Sequence, residues 1–188
     1  MTYQLLFLGS PILLAAVAQG LCIRYDWLAP IKKPLDLGLY LRGKRIFGDH
    51  KTWRGLAINV VCCTLGTLIQ AWFQREDYLP RWLPFFDYEK QAPMIGLLLG
   101  LGMTVGELPN SFLKRRFEIA PGMSKKGFIG IVFFLFDQVD LTVGIWLFLF
   151  FLIRPSFVMI LWSFAITIVF HVAVSGMGYF LGMRKTLV

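Results

Sequence analysis

Long apolar runs separated by short basic segments set the pattern of this chain. Five apolar blocks stand out, at 5–23, 56–73, 94–108, 128–153 and 157–181. Hydrocarbon about 30 Å thick is crossed by roughly 20 apolar residues of helix. In lipid the backbone must satisfy its own hydrogen bonds, so each block predicts a helix. The third block is short and glycine-rich (Gly96, Gly100, Gly102, Gly106), which predicts close packing against neighbours or the lining of a cavity. The fourth is long for a span and is expected to tilt. The predicted fold is therefore all-α: an integral membrane protein of about five transmembrane helices, forming one membrane domain over 1–188. Two substantial basic loops, 24–55 and 109–127, separate the spans.

Composition supports this picture, with 57% hydrophobic and 16% charged residues and mean hydropathy +0.65. A soluble domain of this size needs more polar surface. The net charge of +8 does not predict a nucleic-acid partner, because the bases lie in the gaps between spans. Segments 24–55 and 109–127 and the C-terminal tail carry fifteen of the nineteen Lys and Arg; Arg75, Arg81, Lys90 and Arg154 fall on the other side. That bias predicts a multi-pass protein of the cell membrane, N-terminus outside and C-terminus cytoplasmic. No Lys or Arg precedes the first block and no A-x-A site follows it, so it is expected to be retained rather than cleaved. Cys22, Cys62 and Cys63 are expected to be small apolar filler. Trp72, Tyr78 and Trp82 suit the outer interface.

Inside the fourth block stands Phe136-Asp137-Gln138-Val139-Asp140. Residues three apart share a helix face, so both carboxylates point the same way. Asp137 would sit roughly 14 Å along the helix from Phe128 at ~1.5 Å per residue. Exposed to lipid, each carboxylate would cost on the order of 3 kcal/mol or more, so the pair calls for a cation and a polar cavity. Mg²⁺ suits such oxygen ligands, with Mn²⁺ as second choice. The plainer accounts are a structural pairing with a loop base, or a proton relay. Gly130 and Gly144 flank the pair at heptad spacing, leaving room for a ligand or another helix.

The basic run Asn110-Ser111-Phe112-Leu113-Lys114-Arg115-Arg116 follows Pro109. Pro109 is expected to end the third span, with Asn110 or Ser111 capping a new helix. That helix N-terminus, with Lys114 and Arg115, would make an anion site; ordinary loop charge is the alternative. Earlier, Gly48, Lys51, Thr52, Arg54 and Gly55 combine turn-permitting glycines with phosphate donors, without the order of a Walker A loop. Glu107 could help with metal or pair with a loop base. His171, near Ser175, is expected to be a buried neutral histidine.

Gly48 with Lys51-Thr52-Trp53-Arg54-Gly55, the Asn110–Arg116 run, Pro121-Gly122 and the Asp137/Asp140 pair together resemble the CDP-archaeol synthase family, relatives of the CDP-diacylglycerol synthases. His50 stands where that family often has Asn. The resemblance implies cytidylyl transfer: CTP and a membrane lipid phosphate give a CDP-lipid and pyrophosphate. It implies Mg²⁺ on Asp137 and Asp140, and phosphates gripped by Lys114, Arg115, Asn110 and Ser111. Lys51, Thr52 and Arg54, with Gly48, Gly55, Pro121 and Gly122, would close over the nucleotide. Lys114, Asp137 and Asp140 are the expected catalytic residues. The competing readings are a small cation transporter or channel using the Asp pair, and a non-catalytic assembly partner. The D-G-x-x-A-R signature of CDP-alcohol phosphotransferases is missing.

Overall fold

The computed structural model describes residues 1–120 and 127–180, with backbone alone at 131, 134 and 138 and over 171–180. Five helices follow in order: α1 (Thr2–Arg24), α2 (Trp53–Arg75), α3 (Tyr88–Arg116), α4 (Phe128–Leu149) and α5 (Phe157–Phe180). The first four are long and apolar enough to cross a membrane; the fifth is apolar over Phe157–Phe170. The loop between α1 and α2 adds a small hairpin to the expected all-α fold, β1 (Tyr40–Leu41) paired antiparallel to β2 (Lys44–Arg45). Its turn, Arg42-Gly43, has φ of +51° and +74°, the doubly positive pattern that suits the twist of a tight hairpin.

Helix α3 is the centre of the bundle, and its glycines decide its neighbours. Gly96 and Gly100 share one stripe; Gly102 and Gly106 share another, about 120° round the helix at 100° per residue. A Cβ on Gly96 or Gly100 would lie 2.4 Å from Thr64 Cα or 2.5 Å from Val60 Cα of α2. On the second stripe, a Cβ on Gly102 or Gly106 would meet Ile145 Cα or the Asp140 carbonyl, 2.8 and 2.6 Å away on α4. Both faces thus bring backbones into contact, as small residues do in membranes. Gly144 of α4 completes that seam: its Cβ would sit 2.2 Å from the Gly102 carbonyl. The space beside Gly144 is filled by the backbone of α3.

Prolines do not end these helices. Pro11 lies inside α1, where its missing N–H leaves the Phe7 carbonyl free. Gln70 of α2 donates to that carbonyl, as does Ser10 at 2.9 Å. The expected break at Pro109 is corrected in the same way. Helix α3 continues through Pro93 and Pro109 to Arg116. Asn110 and Ser111 are buried in its interior, 5% and 9% exposed. No helix begins there, so the predicted N-terminal anion site is absent, and the loop that was expected at 109 starts after Arg116. Packing of α3 on both sides outweighs the one hydrogen bond proline removes.

Candidate functional site

The α3–α4 seam carries a polar cluster. Asn110 Nδ2 donates to Asp137 Oδ1 at 2.6 Å and to Asp140 Oδ2 at 2.8 Å. Lys114, one turn along α3, places Nζ 2.5 and 2.7 Å from the two Asp137 oxygens. The i, i+3 spacing of the aspartates and the i, i+4 spacing of Asn110 and Lys114 set two short stripes face to face. Asp140 Oδ1 accepts from the Leu141 amide at 2.6 Å. The side-chain oxygen of Asn110, Oδ1, is buried and unpartnered. Both sequence-predicted carboxylates thus converge with Asn110 and Lys114. Ser111 is buried on the same helix without reaching them.

The first loop is built around a residue that sequence reasoning passed over. The Asp36 side chain has no exposure and accepts from the amides of Gly38, Phe47 and Gly48 at 3.1, 2.9 and 3.0 Å. Arg45 adds a guanidinium contact at 2.7 Å. Burial pushes the Asp36 carboxyl up, but Arg45 and the three amides outweigh it and hold the group well below the ordinary carboxylate range. Arg116, at the end of α3, donates to the carbonyls of Leu41, Lys44 and Arg45 at 2.6, 3.1 and 2.5 Å, fastening the hairpin to α3. The available signal was three acids, Asp26, Asp36 and Asp49, among the eight Lys and Arg of 24–55.

This strap delivers Lys51 to α3, where it pairs with Glu107. The expectation that Glu107 could meet a loop base holds. Thr52 caps α2, its hydroxyl accepting the Gly55 amide at 3.2 Å. Gly48, at φ +93°, gives its amide to Asp36. Arg54 turns elsewhere: it is 5% exposed and donates to Asp26 and the Trp27 carbonyl at 2.8 and 3.0 Å. Arg115 is half-buried with Nε unpartnered. Pro121 and Gly122 lie outside the described residues, as do the side chains of His171 and Ser175.

Glu107, Asp137 and Asp140 line one end of a cavity of about 290 Å³, with Gln19 beside them. Most of the rest is apolar, with Leu5, Leu8 and Ile12 of α1, Met103 of α3, Ile145 of α4 and Ile166 of α5, and Thr142, Ser163 and Thr167 add hydroxyls. Three carboxylates facing two lysines leave this end short of positive charge. Among the described residues no group of three metal-ligating side chains converges. A divalent ion here would therefore share two carboxylates with ligand oxygens, the usual habit of Mg²⁺. The cavity is thus amphiphilic, with an acidic end joined to a mostly apolar slot.

Comparison with known proteins places the chain in a family. A family model described as CarS-like CDP-archaeol synthase matches residues 14–187. The CDP-archaeol synthase of Methanosarcina mazei is 32% identical over 163 residues, 81% of this chain and 89% of that one. That of Methanoculleus marisnigri is 34% identical over 160 residues, 81% and 87% of the two chains. A solved structure of an intramembrane enzyme for archaeal membrane lipid biosynthesis superposes with a TM-score of 0.64 at 21% identity, covering 89% and 90% of the chains. The last supports the membrane fold alone.

Proposed function

The chain belongs to the CDP-archaeol synthase family, and from that premise we propose that it joins CTP to a membrane lipid phosphate, releasing pyrophosphate and leaving a CDP-lipid. The observation that carries this reading is the Asn110–Lys114–Asp137–Asp140 cluster at the head of an apolar cavity. In the proposed reaction an oxygen of the lipid phosphate attacks the α-phosphorus of CTP as the bond to the β-phosphate oxygen breaks. The lipid phosphate is already ionised near neutral pH, so no strong base is needed. Positioning and charge neutralisation carry the rate.

Each residue has a part in that scheme. Asp137 and Asp140 would hold Mg²⁺, with Mn²⁺ as substitute. Such an ion would supply neutralisation of the charge developing on the phosphate oxygens. Asn110 touches both carboxylates and holds them together, which is a positioning role rather than the phosphate contact expected for it. Lys114 and Lys51 are each held by a carboxylate, and phosphates entering the site would take over those partners. The apolar cavity receives a lipid chain. The basic first loop faces the cytoplasm in this reading, where CTP is supplied.

The test is direct. Purified protein in detergent, with labelled CTP, Mg²⁺ and lipid phosphates including phosphatidic acid and an unsaturated archaeal ether-lipid phosphate, should yield a CDP-lipid. Asp137→Asn and Asp140→Asn should abolish it. Cation flux in liposomes without nucleotide binding would overturn the reading in favour of transport.

A further inference from the structure

Helix α1 brings one polar side chain to the cavity wall. Its lining runs from Leu5 to Gln19, about 21 Å at ~1.5 Å per residue, by way of Leu8, Ile12 and Ala16. Spacings of three and four residues put these on one stripe. Gln19 alone among the α1 lining residues carries hydrogen-bonding groups on its side chain. It lies at the end that holds the carboxylates, and Ala16, one turn away, opens the apolar stretch. A Cβ on Gly55 would stand 3.4 Å from Gln19 Nε2 and 3.6 Å from Thr52 Oγ1. The amide therefore rests against the first turn of α2, beside the strap that brings Lys51 to Glu107. Gln19 is half-buried, and its carboxamide makes no hydrogen bond with the described residues. The three carboxylates at this end bond other residues: Glu107 to Lys51, Asp137 to Asn110 and Lys114, Asp140 to Asn110 and the Leu141 amide.

A bound amphiphile displaces water from the slot, and an amide donor left there without an acceptor costs free energy. The ligand has to supply that acceptor. In a lipid phosphate, the atoms at the border between phosphate and chain are the oxygens that link the chains to glycerol. Resting on the cytidylyltransferase reading, we infer that Gln19 Nε2 donates to one of these linkage oxygens and sets how far the phosphate reaches toward Asp137 and Asp140. A neutral amide suits a neutral oxygen, while the anionic phosphate falls to the ammonium groups of Lys51 and Lys114. Gly55 belongs to the same contact, because its missing side chain leaves the amide its place on α2.

The experiment uses the full chain in detergent with CTP and Mg²⁺, comparing wild type with Gln19→Met, which keeps the side-chain length and removes the donors. Diether and diester glycerol phosphates are the substrates. A monoalkyl phosphate of equal chain length, which has no glycerol, is read as a competitive inhibitor. Gln19→Met should lower kcat/KM for a glycerol-linked lipid roughly 10-fold, the scale of one hydrogen bond. The Ki of the monoalkyl phosphate, the KM for CTP and the melting temperature should stay near their wild-type values. Loss on the diether lipid names a bridging oxygen as the partner, and loss confined to the diester lipid names its carbonyl; either supports the contact. Should Gln19→Met fail to fold, Gln19→Leu carries the same comparison. An equal loss of affinity for the monoalkyl phosphate would overturn the inference, and so would a raised KM for CTP alone or no change with any lipid. In those three cases wild-type turnover leaves the cytidylyltransferase reading standing. No turnover of any lipid by the wild-type protein would instead remove the proposed function and this inference with it.

Discussion

Asp36 and the Asp137/Asp140 pair are both carboxylates set among bases, yet their surroundings differ in kind. Asp36 alone accepts three backbone amides and a guanidinium and has no exposure. Asp137 and Asp140 share one side-chain amide; beyond it Asp137 has only the Lys114 ammonium and Asp140 only the Leu141 amide, and Asp137 is 40% exposed. A saturated carboxylate has no capacity left for a ligand and serves the fold. An under-partnered pair open to a cavity keeps its attraction for a cation. Neither burial nor charge alone separates the two; the count of donors does.

This contrast can be broken most sharply by neutralising each side. Asp137→Asn or Asp140→Asn should lower CDP-lipid formation on the order of 10³-fold, the scale of lost charge stabilisation at a reacting phosphate. The thermal unfolding of either variant in detergent should stay near that of wild type. A large fall in melting temperature would move the pair to the structural side. Asp36→Asn should do the reverse. It leaves Arg45 and three amides without their charge, costing on the order of 3 kcal/mol of strap stability. Hydrogen exchange at Phe47 and Gly48 reads the loss, with activity falling about 10-fold as Lys51 loses its placement.

Asn110→Ala sharpens the comparison within the site. Removing the amide that joins the two carboxylates should weaken Mg²⁺ binding by calorimetry about 10-fold. Unchanged affinity would show that the seam alone positions them. The smallest effect concerns acid. The Asp36 carboxyl is depressed when folded, so its contribution is present above the ordinary carboxylate value of about 4. It is lost only as pH falls through the lower folded value. Exchange protection at Gly38, Phe47 and Gly48, corrected for intrinsic rate, should therefore persist at pH 4 and fade below it. Asp36→Asn should abolish that acid step.

Much of the site was legible because it is written in short spacings. The i, i+3 aspartates and the Asn110–Lys114 run are each local, and helix geometry puts each on one face. Glu107 and Lys51 lie 56 positions apart, so no spacing could join them. Asp36 was missed for a similar reason: its partners at 45, 47 and 48 reach it only after the hairpin turns at Arg42-Gly43. Arg54 carried the composition of a phosphate donor and sits buried on Asp26.

The sequence by itself determined the apolar blocks, the basic loops, the common face of the two aspartates and the motif set of the family. These depend on period, length and order, which are properties of a chain before it folds. Only the tertiary structure decided that α3 runs unbroken through Pro109, and that Gly102, Gly106 and Gly144 press two backbones together. It also decided that Asn110 belongs to the carboxylates. Those outcomes turn on which helix lies against which face, and a free energy shared between distant segments leaves no mark in either segment alone.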